Sequence, residues 1–215
     1  MNRLTIRLET EKDYKAVENL NREAFWNVYK PGCDEHFYAH NLRNHPDFIP
    51  ELDFVLEKDG HIIGSIMYYK TTLVSIDGQK KDILSFGPLC ILPEYQRQGG
   101  GKALIEHSFA KALEMGYDTV AIFGNPGNYV GRGFVSCKKL GVDMEGFYPT
   151  ALLVKELVPG VLAGKNWHFI DCDAAECCAD TDAVAAFDAA FPPKEKAHRP
   201  SQEEFYIYSR SCVVR

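Results

Sequence analysis

The chain has 215 residues, 46% of them hydrophobic and 25% charged, which is ordinary for a globular protein of one large domain or a domain with an extension. Its formal net charge of −6 argues against a dedicated nucleic-acid-binding protein. There is no apolar run near the roughly 20 residues of a membrane helix, no signal-peptide pattern and no disulfide-like spacing of the seven cysteines. We therefore expect a cytoplasmic protein with reduced thiols and no membrane partner.

The N-terminal part of the sequence predicts one strand followed by two helices. Apolar and polar residues alternate over 4–8, as they do in a strand with one buried face. Thr10 and Asp13 have approximately the spacing of a capping box, so a first helix is expected over 11–26. A second, shorter helix is expected over 34–44.

An antiparallel meander is predicted next, with strands over 52–57, 61–74 and 82–92. Asp59-Gly60 and Asp77-Gly78 separate these strands, and Asp-Gly between strand patterns is typical of a tight turn that needs positive φ. Within the third strand, Gly87-Pro88 predicts that pairing is interrupted on one side, because proline has no N–H for the ladder.

Three contiguous glycines, 99–101, follow this strand and precede a helical pattern. Glycines allow backbone N–H groups to turn inward, and a helix start adds unpaired donors and partial positive charge, so the segment suits a phosphate or pyrophosphate. The alternative is an ordinary tight turn. A nucleotide-binding P-loop does not fit, because Ala103 follows Lys102 where that motif needs Ser or Thr.

The helix after the glycines is expected to place Ile105, Phe109, Ala112 and Leu113 on one face and to end at Gly116. A strand over 119–123 should then pair in parallel with the strand before the glycines. A turn-rich segment over 124–134 leads into a further strand, and the last strand of this part is expected over 150–156.

Pro159-Gly160 suggests a boundary between a core of residues 1–158 and a C-terminal extension of residues 159–215. The extension is expected to pack on the core as a lid, a sheet edge or a dimer surface. Its predicted elements are a strand over 167–170, a helix over 174–191, an exposed loop over 192–196 and a strand around Phe205 and Ile207.

Two motifs in the expected order carry a family resemblance. The segment Gln96-Arg97-Gln98-Gly99-Gly100-Gly101 resembles the Gln/Arg-x-x-Gly-x-Gly/Ala motif of the GCN5-related N-acetyltransferase (GNAT) superfamily. Downstream, 129–134 resembles that family's Tyr-x-x-x-Gly-Phe, and the resemblance covers roughly residues 3–156. It implies the GNAT fold, an α/β (α+β) fold whose mixed, mostly antiparallel sheet of six to seven strands is splayed around the cofactor and flanked by helices.

The resemblance further implies acetyl-CoA as co-substrate. The pyrophosphate would be held by loop amides, with two side chains beside them, and the pantetheine arm would pair with the preceding strand. The residues at the matching positions are Leu89, Cys90 and Ile91 on the strand, and Gln96, Arg97, Gln98, Gly99, Gly100, Gly101 and Lys102 in the loop.

Tyr129 matches the family's general acid, which protonates the leaving thiolate, although a residue that merely packs beside the arm is the alternative. The sequence departs from the fuller family pattern at Ile122, where many members have asparagine. Asn128, or Asn125, is the candidate to contact the cofactor instead.

The general base and the acceptor pocket are left open by the sequence. Candidate bases are Asp82, Ser85, Glu35, His36 and His40. Aromatic residues that either line the acceptor site or seal the core are Phe25, Trp26, Tyr29, Phe37 and Tyr38. No metal is expected, because the spacing of His168, Cys172, Cys177 and Cys178 fits no standard zinc pattern. Cys90 is expected to be a buried residue rather than an acyl carrier.

The leading hypothesis is thus an N-acetyltransferase (EC 2.3.1.-) that moves the acetyl group of acetyl-CoA to a primary amine of a small molecule or peptide by direct attack. The alternatives are a non-catalytic acyl-CoA-binding sensor or regulatory module, and transfer to a non-amine. The acceptor stays open, and so does a homodimer.

Overall fold

The computed structural model describes residues 4–214, with the side chain of residue 214 excepted. The α-helices in this part of the chain are α1 (Tyr14–Phe25), α2 (Glu35–Leu42), α3 (Gly100–Glu114), α4 (Pro126–Tyr129), α5 (Thr181–Asp188) and α6 (Pro200–Arg210). The strands in it are β1 (Leu4–Leu8), β2 (Phe54–Lys58), β3 (His61–Ser75), β4 (Lys80–Ile91), β5 (Thr119–Phe123), β6 (Val135–Ser136), β7 (Val142–Asp143), β8 (Phe147–Pro149), β9 (Leu152–Glu156), β10 (Trp167–Ile170) and β11 (Cys212–Val214).

Nine of the described strands form one mixed sheet whose main path runs in the order β1-β2-β3-β4-β5-β9-β6. Strand β10 pairs with β3 and β7, and β8 and β11 form a separate two-stranded sheet. The β4–β5 and β7–β10 pairs are parallel, whereas β1–β2, β2–β3, β5–β9 and β6–β9 are antiparallel. The predicted mixed, mostly antiparallel sheet with flanking helices is therefore confirmed.

Contacts between residues divide the chain into two compact units. The first unit comprises residues 4–68, 87–108 and 173–202, and the second comprises 69–86, 109–172 and 203–214. Each unit has its own buried apolar residues. In the second unit these include Leu73, Ile83, Val154, Trp167 and Phe169.

Local sequence signals account for the start of the first unit. The backbone N–H and the hydroxyl of Thr10 both donate to Asp13 Oδ2, at 2.9 and 2.7 Å, so the predicted capping box is confirmed. Asp59 and Gly60 have φ angles of 51° and 83°, which is the double left-handed turn expected between β2 and β3. Helix α1 then buries Val17 and Leu20.

The turn between β3 and β4 lies where it was predicted, but its backbone conformation differs from the predicted one. Gly78 is left-handed, with φ of 84°, whereas Asp77 is not among the residues with positive φ. The Ser75 carbonyl accepts from the Gly78 N–H at 2.8 Å, and the Ser75 hydroxyl accepts from the Gln79 N–H at 3.0 Å. A serine side chain thus replaces one backbone contact of the turn.

The predicted buried face of helix α3 is confirmed at Ile105, Phe109 and Ala112 but is wrong at Leu113, which is 43% exposed. Leu104 and Ser108 complete the buried face. At 100° per residue, position 113 lies about 100° from the centre of that face. The predicted end is confirmed, because Gly116 has φ of 90°.

Two predictions for the C-terminal part are wrong. The expected helix over 174–191 is a 3₁₀ segment, Asp173–Ala179, followed by α5, because the Asp180 side chain accepts from the Ala183 N–H at 2.9 Å and starts a new helix there. The expected strand around Phe205 is helix α6, in which Phe205 and Tyr208 pack three residues apart. The predicted strand over 167–170 is confirmed as β10.

Within residues 4–214, no helix combines the length and the apolar character that crossing a membrane requires.

Candidate functional site

In the first unit, the last residues of β4 pack tightly against β3. The Leu92 N–H donates to the Ile63 carbonyl at 2.9 Å. A Cβ at Gly64 would lie 2.4 Å from Ile91 Cδ1 and 3.1 Å from the Cys90 carbonyl oxygen, so a side chain here would displace Ile91 and press on the backbone of β4. The backbone of the predicted cofactor strand is therefore fixed from its β3 side.

On its other side, in the second unit, β4 pairs in parallel with β5, and Leu84 lies opposite Val120. The Ser85 hydroxyl donates to the Ala121 carbonyl at 2.6 Å, so a side chain takes the place of the next ladder bond. The ladder has ended before Gly87-Pro88, whose peptide bond is cis. The predicted interruption of pairing on one side of this strand is confirmed.

A compact polar turn links β4 to α3. Residues Pro93–Tyr95 form a 3₁₀ turn, and the side-chain amide of Gln96 donates back to the Ile91 carbonyl at 3.0 Å. The Gln98 amide donates to the Glu94 carbonyl at 2.9 Å. Arg97 is exposed and has a left-handed φ of 58°. The two glutamine side chains thus hold the turn in shape.

Helix α3 begins on glycines that are exposed or partly exposed. Its first backbone hydrogen bond runs from the Ala103 N–H to the Gly99 carbonyl at 3.0 Å, so Gly99 is the N-cap residue and has φ of 93°. The N–H groups of Gly100, Gly101 and Lys102 belong to the first turn, where a helix offers no carbonyl partner. Two of the three predicted loop glycines are therefore helical, because the chain has already turned at Gly99.

Gly100 allows this helix start to approach the core closely. A Cβ at Gly100 would lie 2.8 Å from Leu56 Cδ2, whereas one at Gly101 would lie 3.8 Å from Ile91 Cγ1, which is an ordinary contact. The first unit therefore brings the end of β4 and the start of α3 together around Ile91.

The charges at the helix start favour an anion. The Lys102 ammonium lies 3.6 Å from Glu106 Oε1, and both side chains are mostly exposed. An exposed pair of this kind is weak, so Lys102 keeps most of its charge available. The partial positive charge of the helix N-terminus adds to it.

Tyr129 and Asn128 lie in the second unit, on the short helix α4. The Asn125 side chain caps this helix by accepting from the Gly127 N–H at 2.9 Å. A Cβ at Gly124 would lie 2.6 Å from Tyr129 Cε2, so the phenol ring lies directly over that glycine. Asn128 is exposed.

The Tyr129 ring is further packed by two phenylalanines of the second unit. Its centroid is 5.8 Å from that of Phe86 and 5.6 Å from that of Phe134. Phe134 is 1% exposed, and its N–H donates to the Tyr129 carbonyl at 3.3 Å. The Tyr-x-x-x-Gly-Phe motif is therefore a structural unit in which the phenylalanine anchors the tyrosine ring.

Cys90 is buried, as predicted, and its side chain lies on the opposite face of β4 from the side chain of Ile91. Its thiol donates to Asn21 Oδ1 at 3.3 Å and lies 3.4 Å from the Ser65 hydroxyl. Burial raises the pKa of the Cys90 thiol to about 12. The thiolate that acyl transfer through this residue needs is therefore scarce near neutral pH.

The candidate bases have different surroundings. His36 is fully buried and burial lowers its pKa, whereas the exposed His40 lies 2.8 Å from Glu18 Oε1. Burial and the neighbouring Asp34 carboxylate raise the pKa of Glu35 to about 7. Ser85 is buried in the hydrogen bond described above, and Asp82 is exposed.

The aromatic residues of the variable segment pack mainly on one another and on the C-terminal part of the first unit. Phe25 and Tyr29 have centroids 5.8 Å apart, and those of Phe37 and Phe187 are 5.4 Å apart. The Trp26 indole N–H donates to the Glu195 carbonyl at 2.9 Å. These contacts favour a packing role for Phe37, while the acceptor pocket stays a prediction.

The thiols of Cys177 and Cys178 lie 3.8 Å apart. Over the described range, 4–214, no group of three or more His, Cys, Asp or Glu side chains is arranged to hold a metal ion.

Two residues that matter to the site, Gly64 and Asn21, were not found by the sequence analysis. Gly64 allows a close approach between distant segments, and a lone glycine in a strand is the general signal for this. Asn21 anchors Cys90 to helix α1, and a polar residue on an otherwise apolar helix face was its signal.

Comparison with known proteins identifies relatives of this chain. The model of the acetyltransferase (GNAT) family matches residues 14–137. An uncharacterized N-acetyltransferase of Escherichia coli strain K12, YjhQ, is 32% identical over 89 residues, which are 41% of this chain. That match spans 48% of the length of the curated relative, or about half of it.

Solved structures share the fold. The crystal structure of a GNAT family N-acetyltransferase (YhbS) from Escherichia coli in complex with CoA has a TM-score of 0.70 and 22% identity, and covers 82% of this chain and 93% of its own. A GNAT family acetyltransferase from Brucella melitensis in complex with acetyl-CoA has a TM-score of 0.62 and 21% identity, covering 81% and 99%.

Proposed function

This chain belongs to the acetyltransferase (GNAT) family, and from that premise we propose that it transfers the acetyl group of acetyl-CoA to a primary amine of a small molecule or peptide. The family and fold predicted from the two motifs are confirmed. The solved relatives in complex with CoA and acetyl-CoA support this choice of donor.

The observation that carries the proposal is the start of α3 beside the end of β4. The first-turn N–H groups, a glycine N-cap and an adjacent exposed lysine offer several donors and positive charge to one anion. A pyrophosphate fits this arrangement better than a neutral group, because each donor gains from a charged acceptor.

We assign the donor contacts accordingly. The pyrophosphate is held by the backbone amides of Gln98, Gly99, Gly100, Gly101 and Lys102. Gln96 stabilises the turn through its hydrogen bond to the Ile91 carbonyl, and Arg97 lies beside the phosphates. The backbone of Leu89, Cys90 and Ile91 pairs with the pantetheine arm, since the β5 ladder has ended before this stretch. Asn128, exposed on α4, is proposed as a further contact.

Acetyl-CoA supplies a thioester carbonyl that a neutral amine attacks, with release of the CoA thiol. The attack is direct rather than through Cys90, because burial and the raised pKa keep that thiol protonated. A backbone N–H near the interruption of β4 is the proposed donor to the developing oxyanion.

Tyr129 is the proposed general acid. The ordinary pKa of a phenol, near 10, is close to the pKa of a thiol. Proton transfer from the phenol to the departing thiolate is therefore nearly balanced. The ring is held by Gly124 and Phe134, which fixes the hydroxyl relative to the second unit. A mobile tyrosine would lose this orientation.

The test of this role is Tyr129→Phe, which keeps the ring contacts and removes the hydroxyl. We expect kcat to fall by about 100-fold, in the range of general acid catalysis, with KM for acetyl-CoA unchanged. Release of the CoA thiol measures kcat. An unchanged kcat would mean that Tyr129 only packs beside the donor, and Phe86→Leu serves as the packing control.

The function itself is tested by incubating the protein with acetyl-CoA and a panel of primary amines that includes polyamines, aminoglycosides and peptide N-termini. Mass spectrometry of the amines and thiol release are measured together. An acetylated amine with equal thiol release is expected. Tight acetyl-CoA binding without any acetylated amine would favour the non-catalytic sensor instead.

A further inference from the structure

A cavity of about 150 Å³ lies in the first unit, between the segment after α1 and the inner side of α5. Trp26, Cys33, Val184, Asp188 and Lys196 are among the residues that line it. An engineered apolar cavity of about this volume in another protein holds benzene. The space therefore accommodates a ligand built on a single ring.

The backbone beside Lys196 is fixed by one side chain. The Asn27 amide donates to the Glu195 carbonyl at 3.0 Å and accepts from the Ala197 N–H at 3.0 Å. Asn27 also accepts from the Gly32 N–H at 2.8 Å, and the Lys196 stem lies across Gly32, where a Cβ would be 3.1 Å from Lys196 Cε. The backbone at Lys196 is thus held in place, and the lysine stem lies against Gly32 beside the cavity.

The Asp188 carboxylate at the cavity already has two polar partners. Arg22 Nε donates to Asp188 Oδ1 at 2.6 Å, and His36 Nε2 lies 3.1 Å from the same oxygen. Burial opposes ionisation of Asp188, but Arg22, His36 and Lys196 together lower its pKa, so it is ionised at neutral pH. Asp188 is therefore satisfied and is a poor partner for an incoming amine.

The charged side chains that line this cavity are two lysines, Lys30 and Lys196, and one carboxylate, Asp188. Lys30 pairs with Asp34 and Asp188 pairs with Arg22, so within residues 4–214 Lys196 is the charged lining residue without a close ion pair. Arg22 is outside the lining, and its guanidinium carbon is 4.4 Å from the centroid of the Trp26 ring, so its positive charge lies next to a lining residue.

We propose that this cavity binds a small organic carboxylate with an aromatic or branched apolar body. Its carboxylate contacts Lys196 and lies within the field of Arg22. Its body lies against the Trp26 indole and Val184. This site is separate from the acetyl-CoA contacts proposed above, and its existence does not depend on acetyl transfer.

The experiment is isothermal titration of the 215-residue protein with benzoate, benzamide and benzylamine in the absence of acyl-CoA. The three probes have nearly the same shape, but benzoate is anionic, benzamide is neutral and benzylamine is cationic. We expect saturable binding of benzoate, with the neutral and cationic probes weaker by about tenfold or more, because a charge-assisted hydrogen bond is lost. This comparison uses the unaltered protein and needs no variant to fold.

The matched variants are Lys196→Met, which keeps the stem across Gly32, and Lys194→Met in the same segment, whose ammonium pairs with Glu23 at 2.7 Å. Benzoate affinity should fall about tenfold or more in Lys196→Met and stay within about twofold in Lys194→Met. No saturable benzoate binding, a preference for benzylamine, or equal affinity in both variants would overturn the proposal. None of these results bears on acetyl transfer, which the amine panel tests.

Discussion

Gly101 offers a paired substitution that separates the fold of helix α3 from its role in binding the donor. It is the second residue of the helix, and a Cβ there would meet Ile91 Cγ1 at an ordinary 3.8 Å. Gly101→Ala is thus accommodated and should stabilise the helix by about 0.5–1 kcal/mol. Gly101→Pro is tolerated in the first turn but removes one backbone N–H.

The expected effect on binding follows from that one donor. A hydrogen bond to a charged group is worth about 1.5–3 kcal/mol, which is roughly 10- to 150-fold in Kd. Proline also restricts the residue before it through clashes with that residue's Cβ and N–H, and at Gly100 the clash with Cβ is absent. We therefore expect Kd for CoA to rise by about tenfold or more in Gly101→Pro and to be unchanged in Gly101→Ala.

The assay is calorimetric titration of both variants with CoA, and a kinetic comparison with acetyl-pantetheine, which lacks the pyrophosphate. Gly101→Pro should weaken CoA binding and leave turnover of the truncated donor unchanged. Equal losses with both donors would show a folding defect. No loss with either would refute the assignment of the Gly101 N–H to the pyrophosphate.

Three further predictions concern charge pairs and a thiol. Asp188→Asn leaves the Arg22 guanidinium, which is 1% exposed, without its carboxylate, and breaking such a buried pair costs about 3–5 kcal/mol in urea unfolding. Asp13→Asn should lower the melting temperature at neutral pH and have progressively less effect below about pH 4, because a guanidinium hydrogen bond depresses the pKa of Asp13 in the folded state. Cys90, which is 4% exposed, should resist iodoacetamide at mildly alkaline pH in the native protein.

Each of these predictions has a control in the same chain. Asp182→Asn, on the exposed side of α5, should change the unfolding free energy by about 0.5 kcal/mol or less. For the pH series, Arg7 is the partner of Asp13, so Arg7→Gln should show the same loss of effect in acid. Cys212 is exposed and should be alkylated first in peptide mass mapping. The contrary order of alkylation would contradict the placement of Cys90.

Elements set by neighbouring residues were predictable from the sequence. The Thr10–Asp13 capping box and the Asp59-Gly60 turn depend on contacts within four residues, and both are found. The start of α3 was nearly right, because glycine and a helical pattern specify a helix N-terminus locally. The motifs around Gly99 and Tyr129 then gave the family.

Features that depend on distant contacts were not predictable. Asp180 sits in an alanine-rich run that reads as continuous helix, yet its carboxylate caps a new helix. The short apolar run over 205–208 cannot be assigned to a strand or a helix by its periodicity alone. The Asn27 hydrogen bonds that fix the backbone beside Lys196 join segments far apart in the chain. No local sequence pattern predicts them.

The proposed cradle at the start of α3 is tested most directly by ¹H–¹⁵N spectra of this 24.2-kDa protein with and without acetyl-CoA. The backbone amides of 99–102 should shift most strongly on binding, and the change should be small with acetyl-pantetheine, which lacks the pyrophosphate. Saturable acetyl-CoA binding that leaves these four amides unshifted would contradict the account, because the pyrophosphate would then lie elsewhere.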